Sequence, residues 1–255
     1  MPGVDTGHIL VVEALRRSFG GVHAVDGISF EVQRGRITGL IGPNGAGKST
    51  VLGMLAGAVQ PDSGSIRVEG KELAGRPAYE RARHGVGRTF QMAGEFPRLT
   101  VLENLLVGMP NQRGERLLSA LLGNWTRQEE AAVEKARSLL RRFDMTAKED
   151  DYAGELSGGQ KRLLEIMRAL MSDPHLLLLD EPMVGVAPTL VGAIEEYLRE
   201  LCDHGLTILI VEHELGVVER LCDTVMVMAR GALISQGTMR DIQSSREVAD
   251  AYLIG

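Results

Sequence analysis

Residues 36–50 read Arg-Ile-Thr-Gly-Leu-Ile-Gly-Pro-Asn-Gly-Ala-Gly-Lys-Ser-Thr, and this stretch decides the fold. Its first part, up to Ile41, is apolar and typical of a buried strand. The segment Gly42–Ser49 fits the pattern G-x-x-x-x-G-K-[ST], in which glycines let the backbone curl until its N–H groups face a phosphate. A helix after the loop would add the positive end of its dipole. The stretch therefore predicts a strand, a phosphate-binding loop and a helix, in that order.

The phosphate loop, Gly42–Thr50, carries two side chains with specific tasks. Lys48 can reach the outer phosphates of a nucleotide, and the hydroxyl of Ser49 can coordinate Mg²⁺. We therefore expect ATP and Mg²⁺ as ligands. The expected nucleotide-binding residues of the loop are Gly42, Pro43, Asn44, Gly45, Ala46, Gly47, Lys48, Ser49 and Thr50.

A second apolar run ends in two acids. Leu176–Leu179 is followed directly by Asp180 and Glu181. Open α/β sheets bind ligands beyond the carboxyl ends of their strands, so we expect both acids beside the phosphate loop. Asp180 is then the partner of Mg²⁺, directly or through water, and Glu181 is placed to orient and deprotonate the attacking water. Together with the loop, these acids predict hydrolysis of ATP.

Other short apolar runs indicate an α/β fold. Thr207–Val211 and Thr224–Met228 lack alternation, as do Arg36–Ile41 and Leu176–Leu179, which is typical of parallel strands covered on both faces. The first 35 residues and Gly64–Val68 favour smaller antiparallel pieces.

Strand signals vanish between about residue 93 and residue 165. Within that stretch, Gln128–Phe143 places apolar residues on one helical face, and residues 110–127 fit a helix plus a loop. We predict one domain, residues 1–255, in which 1–92 and 166–255 form the α/β core with its β subdomain and 93–165 form a helical insert. The apolar face consists of Ala132, Ala136, Leu139, Leu140 and Phe143.

Composition excludes several functional classes. The 34 acidic residues outnumber the 28 lysines and arginines, which gives a net charge of −6, so we expect no nucleic-acid partner. No apolar run approaches the roughly 20 residues of a membrane span, and the N-terminus lacks the pattern of a signal peptide; a membrane role therefore needs partner chains. Cys202 and Cys222 are the only cysteines, and we expect both to be reduced packing residues.

The segment Leu156–Gln160, Leu-Ser-Gly-Gly-Gln, makes the class specific. Ser157 is a good N-cap for a helix whose buried face would be formed by Leu163, Ile166, Met167 and Leu170. The same five residues match the signature of ATP-binding cassette (ABC) ATPases, and the chain resembles that family from end to end. The resemblance implies a P-loop NTPase (RecA-like) core with a mainly parallel sheet, an N-terminal antiparallel β subdomain and an inserted α-helical subdomain.

Further site residues are implied by this resemblance. Phe19 matches the aromatic residue that stacks on adenine, and Val25 joins the nucleotide-binding residues. Gln91 matches the glutamine that contacts Mg²⁺ and water and senses the membrane subunits, and His213 matches the switch histidine at the terminal phosphate. The implied catalytic residues are Glu181, His213 and Gln91, and the implied Mg²⁺ ligands are Ser49, Gln91 and Asp180.

The resemblance also implies partners. Two ATPase chains, a homodimer or a pair of paralogues, would sandwich two ATPs, and each chain would act on its partner's nucleotide through the signature residues Leu156, Ser157, Gly158, Gly159 and Gln160. Two transmembrane permease subunits would hold the pair at the cytoplasmic face of the membrane, and an extracytoplasmic protein would bind the substrate. Ala187 stands where many members carry an aspartate that contacts the partner chain, a mark of one branch of the family.

That branch is identified by further stretches. Four stretches resemble the ATP-binding subunits of branched-chain amino acid importers: Phe19–Asp26, Arg88–Gln91, Leu102–Leu105 and the tail with Gly237-Thr238 and Ala251–Gly255. Urea or short-amide importers and the exporters of lipid or lipopolysaccharide share much of this pattern and stay as alternatives. We expect the permease to dock around residues 91–102, where the apolar residues are Met92, Phe96 and Leu99.

Two other classes of function are disfavoured by the sequence. A soluble, non-transport ABC ATPase of chromosomes or repair would carry a long coiled coil between the phosphate loop and the signature, and this chain has no sustained heptads there. A regulator that binds nucleotide without hydrolysis is disfavoured because Glu181 and His213 are both present.

Overall fold

The computed structural model of the chain describes residues 7–89, 94–110 and 126–254. Gln91, Met92 and most of the ambiguous stretch 110–127 lie outside these ranges. Within them, no helix combines the length and the apolar character of a membrane span. The chain divides into two compact units, the first formed by residues up to 88, 175–181 and 195 onward, and the second by residues 89–174 and 182–194.

Strands and helices are interspersed along the described part of the chain. The strands are β1 (His8–Phe19), β2 (Val22–Gln33), β3 (Ile37–Ile41), β4 (Ser63–Val68), β5 (Lys71–Glu72), β6 (Val86–Arg88), β7 (Leu176–Asp180), β8 (Thr207–Val211), β9 (Thr224–Ala229) and β10 (Ala232–Gly237). The helices are α1 (Lys48–Ala56), α2 (Ala78–Arg83), α3 (Val101–Val107), α4 (Thr126–Arg142), α5 (Gly158–Leu170), α6 (Pro188–Asp203), α7 (Leu215–Leu221), α8 (Met239–Ser244) and α9 (Arg246–Ile254).

A six-stranded sheet forms the centre of the first unit. Its order is β10-β9-β3-β8-β7-β6, and every neighbouring pair is parallel except β10 with β9. All residues of β3, β7 and β8 are buried, because helices and the second sheet cover both faces of such strands. The α/β fold with a mainly parallel sheet is therefore confirmed, and the predicted strands are correct to within one residue at each end.

The predicted antiparallel pieces form a second sheet of the first unit, with the order β2-β1-β4-β5. Its inner residues share one apolar cluster with the larger sheet and with α1. After its polar first turn, Lys48–Thr50, helix α1 is apolar on all sides because it lies inside this cluster. The shared core includes Leu10, Val12, Phe30, Val32, Val51, Leu52, Met54 and Leu55.

The second unit is helical in its described part. The predicted face of α4 is buried, and so are the four apolar residues expected behind Ser157 in α5. Capping boxes fix the first turns of α3 and α5, through Thr100 with Glu103 and Ser157 with Gln160. Helix α5 lies whole in this unit, whereas the expected helical insert, residues 93–165, ends inside it. The division of the chain expected from the sequence stays a prediction.

The two cysteines are free thiols in the first unit, Cys202 buried and Cys222 half-buried. Burial raises the pKa of each thiol to about 12. A thiol with such a pKa carries almost no thiolate and is chemically inert, in agreement with the expectation of packing residues.

Arg81 of α2 stabilises the far end of α1. Its guanidinium is fully buried and its Nη1 atom donates to the carbonyls of Met54 and, at 2.9 Å, Leu55 in the last turn of α1. Carbonyls at a helix C-terminus lack partners within the helix and carry the negative end of its dipole. The buried guanidinium therefore stabilises the C-terminus of α1, the helix whose N-terminus adjoins the phosphate loop.

We expect Arg81→Met to lower the free energy of unfolding by about 2–4 kcal/mol, because the carbonyls of Met54 and Leu55 lose a buried donor. Denaturant titration followed by circular dichroism measures the change. Arg83→Met is the matched control, since Arg83 is an exposed residue of the same helix and its loss should cost under about 0.5 kcal/mol. Equal effects of the two substitutions would contradict the role of Arg81.

Candidate functional site

The phosphate loop leaves β3 and enters α1 along a path that only glycine permits at two points. Gly42 and Gly47 have φ angles of 147° and 103°. A Cβ atom at Gly42 would lie 2.1 Å from the carbonyl oxygen of Met228, and one at Gly47 would lie 2.2 Å from that of Ala24. The loop backbone therefore presses directly against neighbouring backbone, which leaves its other side open as a cradle.

Backbone hydrogen bonds hold the loop in this shape. Ala46 accepts from the amide of Gly231 at 3.0 Å, and the carbonyl of Gly231 accepts from the amide of Asp26 at 2.9 Å. Gly231 lies in the turn between β9 and β10, and Asp26 lies in β2. The loop is thus tied to both sheets through one turn.

Lys48 lies at the mouth of the loop. Its side chain is buried, and Nζ donates to the carbonyls of Gly42 at 2.7 Å and Pro43 at 3.0 Å. Burial lowers the pKa of Lys48, and the attraction of Glu181 and then of Asp180 opposes that shift. The ammonium group therefore lies among carbonyl and carboxylate oxygens, where it can attract a phosphate.

The two acids follow β7 as predicted. Asp180 is the fully buried last residue of the strand and lies opposite Val211 of β8. The amide of Glu181 donates to the carbonyl of Val211 at 2.9 Å, and Glu181 has a φ angle of 49°. This left-handed backbone costs a glutamate about 1–2 kcal/mol and is typical of residues held in place for function.

His213 lies two residues beyond β8, and its Nδ1 atom is 3.6 Å from Oε1 of Glu181. The histidine ring is mostly exposed, whereas the glutamate is largely covered. The structure therefore brings Lys48, Asp180, Glu181 and His213 to one edge of the sheet. The individual roles assigned to them from the sequence stay predictions.

Sequence reasoning missed one charged residue of this site. Arg88 ends β6, and its Nη2 atom lies 3.6 Å from Oδ2 of Asp180. Burial lowers the pKa of Arg88, and the charge of Asp180 opposes that shift. One sequence feature could have pointed to Arg88. It lies two residues after the buried Val86 in a short strand, so it shares a face with Val86 and occupies a position that ordinarily faces the core.

The other sequence-predicted nucleotide residues differ in their placement. Phe19 ends β1 beside the Gly20–Gly21 turn and is 46% exposed, with the guanidinium of Arg17 over its ring at 4.6 Å. Val25, in contrast, is fully buried in the core, so its side chain offers no surface to a ligand in this conformation. Gln91 lies outside the described residues.

The signature segment belongs to the second unit. The hydroxyl of Ser157 accepts from the amide of Gln160, and the side chain of Gln160 accepts from the amide of Ser157 at 3.0 Å. A Cβ atom at Gly158 would meet nothing within 4 Å, whereas one at Gly159 would lie 3.0 Å from the carbonyl oxygen of Gly185. The first turn of α5 is therefore open at Gly158 and tightly packed at Gly159.

The donor set of the first unit fits Mg²⁺ and a nucleotide. The exposed hydroxyl of Ser49 and the carboxylate of Asp180 are hard oxygen ligands of the kind Mg²⁺ takes in phosphate-binding sites. The remaining ligands of such a metal usually come from phosphates and water. The residues present therefore suit the metal that the phosphate loop implies.

Comparison with known proteins agrees with this geometry. A family model described as ABC transporter matches residues 25–184. The probable branched-chain amino acid transport ATP-binding protein LivG of Archaeoglobus fulgidus is 40% identical, with 96% of this chain and 95% of that protein covered. The high-affinity branched-chain amino acid transport ATP-binding protein BraF of Pseudomonas aeruginosa is 38% identical, with 96% and 97% covered.

Solved structures give the same result. A nucleotide-free ATP-binding cassette from an ABC transporter superposes with a TM-score of 0.84 at 38% identity, with 96% of this chain and 98% of that chain covered. An ATP-binding cassette in its ADP conformation superposes with a TM-score of 0.83 at 38% identity, with 97% and 99% covered.

We expect Gly47→Ala to weaken ATP binding by more than about 100-fold, because a Cβ atom at this position forces the loop away from Ala24 and distorts the cradle. Isothermal titration with ATP measures the affinity. Gly45→Ala is the matched control: Gly45 also has a positive φ angle, 77°, but its Cβ atom would meet nothing within 4 Å. An equal loss in both variants would attribute the effect to backbone strain alone.

Proposed function

This chain belongs to the ABC transporter family and is an ATPase of that family, and we propose that within it the chain energises the uptake of branched-chain or related hydrophobic amino acids. The printed names of the relatives support this substrate class, since they are amino acid transport ATP-binding proteins that match this chain at 37–40% identity over almost its whole length.

One observation carries the catalytic part of the proposal. A phosphate loop with a buried lysine lies at the same sheet edge as Asp180, Glu181 and His213. A triphosphate in the loop would receive hydrogen bonds from the backbone N–H groups and the charge of Lys48. Phe19, an exposed aromatic ring at the end of β1, would stack on adenine.

Ser49, Asp180 and Gln91 are the residues proposed to hold Mg²⁺, which neutralises phosphate charge when bound. Glu181 would orient the attacking water and accept its proton. His213, 3.6 Å from Glu181, would hold that carboxylate in position and contact the terminal phosphate. The hydrogen bond from the amide of Glu181 to the carbonyl of Val211 supports this assignment, because it holds the backbone of Glu181 at the end of β8, two residues before His213.

We further propose that the chain works as a dimer, with itself or with a paralogue. The signature residues Leu156–Gln160 would then bind the partner's nucleotide, since a helix N-terminus with a serine hydroxyl and glycine N–H groups is an anion site. The close packing of Gly159 against Gly185 and Ala187 supports this assignment, because it fixes the orientation of the first turn of α5. Removal of the terminal phosphate by hydrolysis would release the two chains.

The loop at residues 94–100 is the proposed docking place for the permease. Asn104 is fully buried and bonds the backbone of this loop at four points, among them Phe96 N at 2.9 Å and Thr100 O at 2.9 Å. Phe96 is thereby held in an exposed position with Arg168 beside its ring. Two permease subunits and an extracytoplasmic binding protein would complete the transporter, with this chain at the cytoplasmic face and its helical insert, residues 93–165, at the contact.

We expect Glu181→Gln to retain ATP binding and to slow hydrolysis by about 10²–10⁴-fold, because the amide cannot accept the proton of water. Phosphate release and equilibrium binding, measured on the same preparation, separate the two effects. Lys48→Ala is the contrasting variant and should lose tight binding itself, since Lys48 supplies a buried cation to the phosphates. Wild-type turnover by Glu181→Gln would remove Glu181 from the role of base.

The substrate class is tested with the complete transporter. Co-expression with its permease subunits, followed by reconstitution in vesicles with the binding protein, should give ATP-dependent accumulation of leucine, isoleucine or valine. The same vesicles should accumulate no urea, and vesicles that contain Lys48→Ala should accumulate neither. Accumulation of urea without branched-chain amino acids would contradict the proposal.

A further inference from the structure

Arg88 forms a buried ion pair with the carboxylate assigned to Mg²⁺. Strand β6 pairs with β7 so that Arg88 lies opposite Leu178, and Asp180 is two residues further on, on the same face of the sheet. The guanidinium reaches along this face to within 3.6 Å of Asp180, and the two side chains are 14% and 0% exposed. The pair therefore lies under the sheet edge where the nucleotide would bind.

The guanidinium of Arg88 also lies close to helix α1. A Cβ atom on Gly53 of α1 would lie 3.9 Å from Nη1 of Arg88, so Arg88 passes beside the helix that begins at the phosphate loop. The same arginine thus contacts the carboxylate at the end of β7 and lies next to the helix of Lys48 and Ser49. All these residues belong to the first unit.

Stability alone does not explain a buried arginine here. Burying two charges costs desolvation, and well-packed apolar residues in place of a buried ion pair are often neutral or stabilising. An apolar side chain at position 88 would pack between β6 and β7 without that desolvation cost. The effect that an apolar side chain lacks is electrostatic: Arg88 gives Asp180 a positive partner when no metal is bound.

We propose that Arg88 is a positioning residue that holds the Asp180 carboxylate in the absence of metal and competes with Mg²⁺ for it, so that Arg88 sets how strongly nucleotide binding depends on Mg²⁺. The inference rests on the proposed function, in which Asp180 is a partner of Mg²⁺. A divalent cation at Asp180 must share the carboxylate with a guanidinium, and the two positive charges repel each other. Without Mg²⁺, the same guanidinium attracts the phosphates.

Both effects act in the same direction on one measurable ratio. The ratio is the dissociation constant of a non-hydrolysable ATP analogue in EDTA divided by that in saturating Mg²⁺, measured by isothermal titration. Arg88→Met removes a positive charge, so it should weaken binding in EDTA and strengthen the contribution of Mg²⁺, which raises the ratio about tenfold. Arg88→Lys keeps the charge and should stay close to the wild-type ratio.

Arg220→Met is the matched control. Arg220 also pairs with a largely buried carboxylate of the first unit, Glu195, at 2.7 Å and 3.1 Å, and its loss should leave the ratio unchanged. If Arg88→Met fails to unfold cooperatively, Arg88→Gln replaces it in the same comparison, since it is neutral but polar and of similar reach.

Three results would overturn the inference. A folded neutral variant of Arg88 with the wild-type ratio would show that the arginine only fastens β6 to β7. A ratio that rises equally in Arg88→Lys would attribute the effect to shape and not to charge. If the affinity of the wild-type chain for the ATP analogue did not depend on Mg²⁺, the proposed metal site itself would be wrong. This result differs from the first two, which would contradict only the role of Arg88.

Discussion

Two carbonyl oxygens, those of Ala24 and Met228, stand where side chains at Gly47 and Gly42 would otherwise be. This close approach of backbone to backbone gives the phosphate loop its curl. It also fixes the start of α1, because Gly47 is the N-cap of that helix. The position of Lys48, the first helical residue, follows from it. The strands on either side, β2 and β9, are as much a part of the nucleotide site as the loop itself.

Charge is the second constraint on the site. Lys48 is a buried cation near Glu181 and Asp180, and the largely covered Arg88 lies near Asp180; each of the two cations loses hydration through its burial. The attraction of the carboxylates offsets part of that cost, and the carbonyls of Gly42 and Pro43 supply further acceptors for Lys48. A site built from compensating charges needs little rearrangement to accept a highly charged ligand, since its groups are already oriented.

Much of this arrangement could be predicted from the sequence. The central strands are continuous apolar runs and α4 is clearly amphipathic, so local patterns place both. The loop and the acids of β7 come from a motif and from the rule that ligands bind beyond the carboxyl ends of strands. Arg88 could not be placed in this way, because its pairing with Asp180 depends on the neighbour relation of β6 and β7, which no local pattern contains. The short elements β6 and α2 carry too few residues for a periodic signal, and the burial of Val25 depends on how the two sheets share one core.

The turn between β9 and β10 limits which substitutions and insertions the chain tolerates there. Surface turns ordinarily accept insertions and exchanges, but Gly231 uses both its amide and its carbonyl to join the phosphate loop to β2. Its φ angle is 80°, and an added Cβ atom would lie 2.9 Å from the carbonyl oxygen of His23. We therefore expect substitution at this turn to be tolerated more readily at Arg230, whose side chain is exposed, than at Gly231. Even Arg230 has a φ angle of 49°, which favours residues that adopt left-handed backbone. The length of the hairpin and its glycine are constrained by the loop that they hold, although neither would touch a nucleotide.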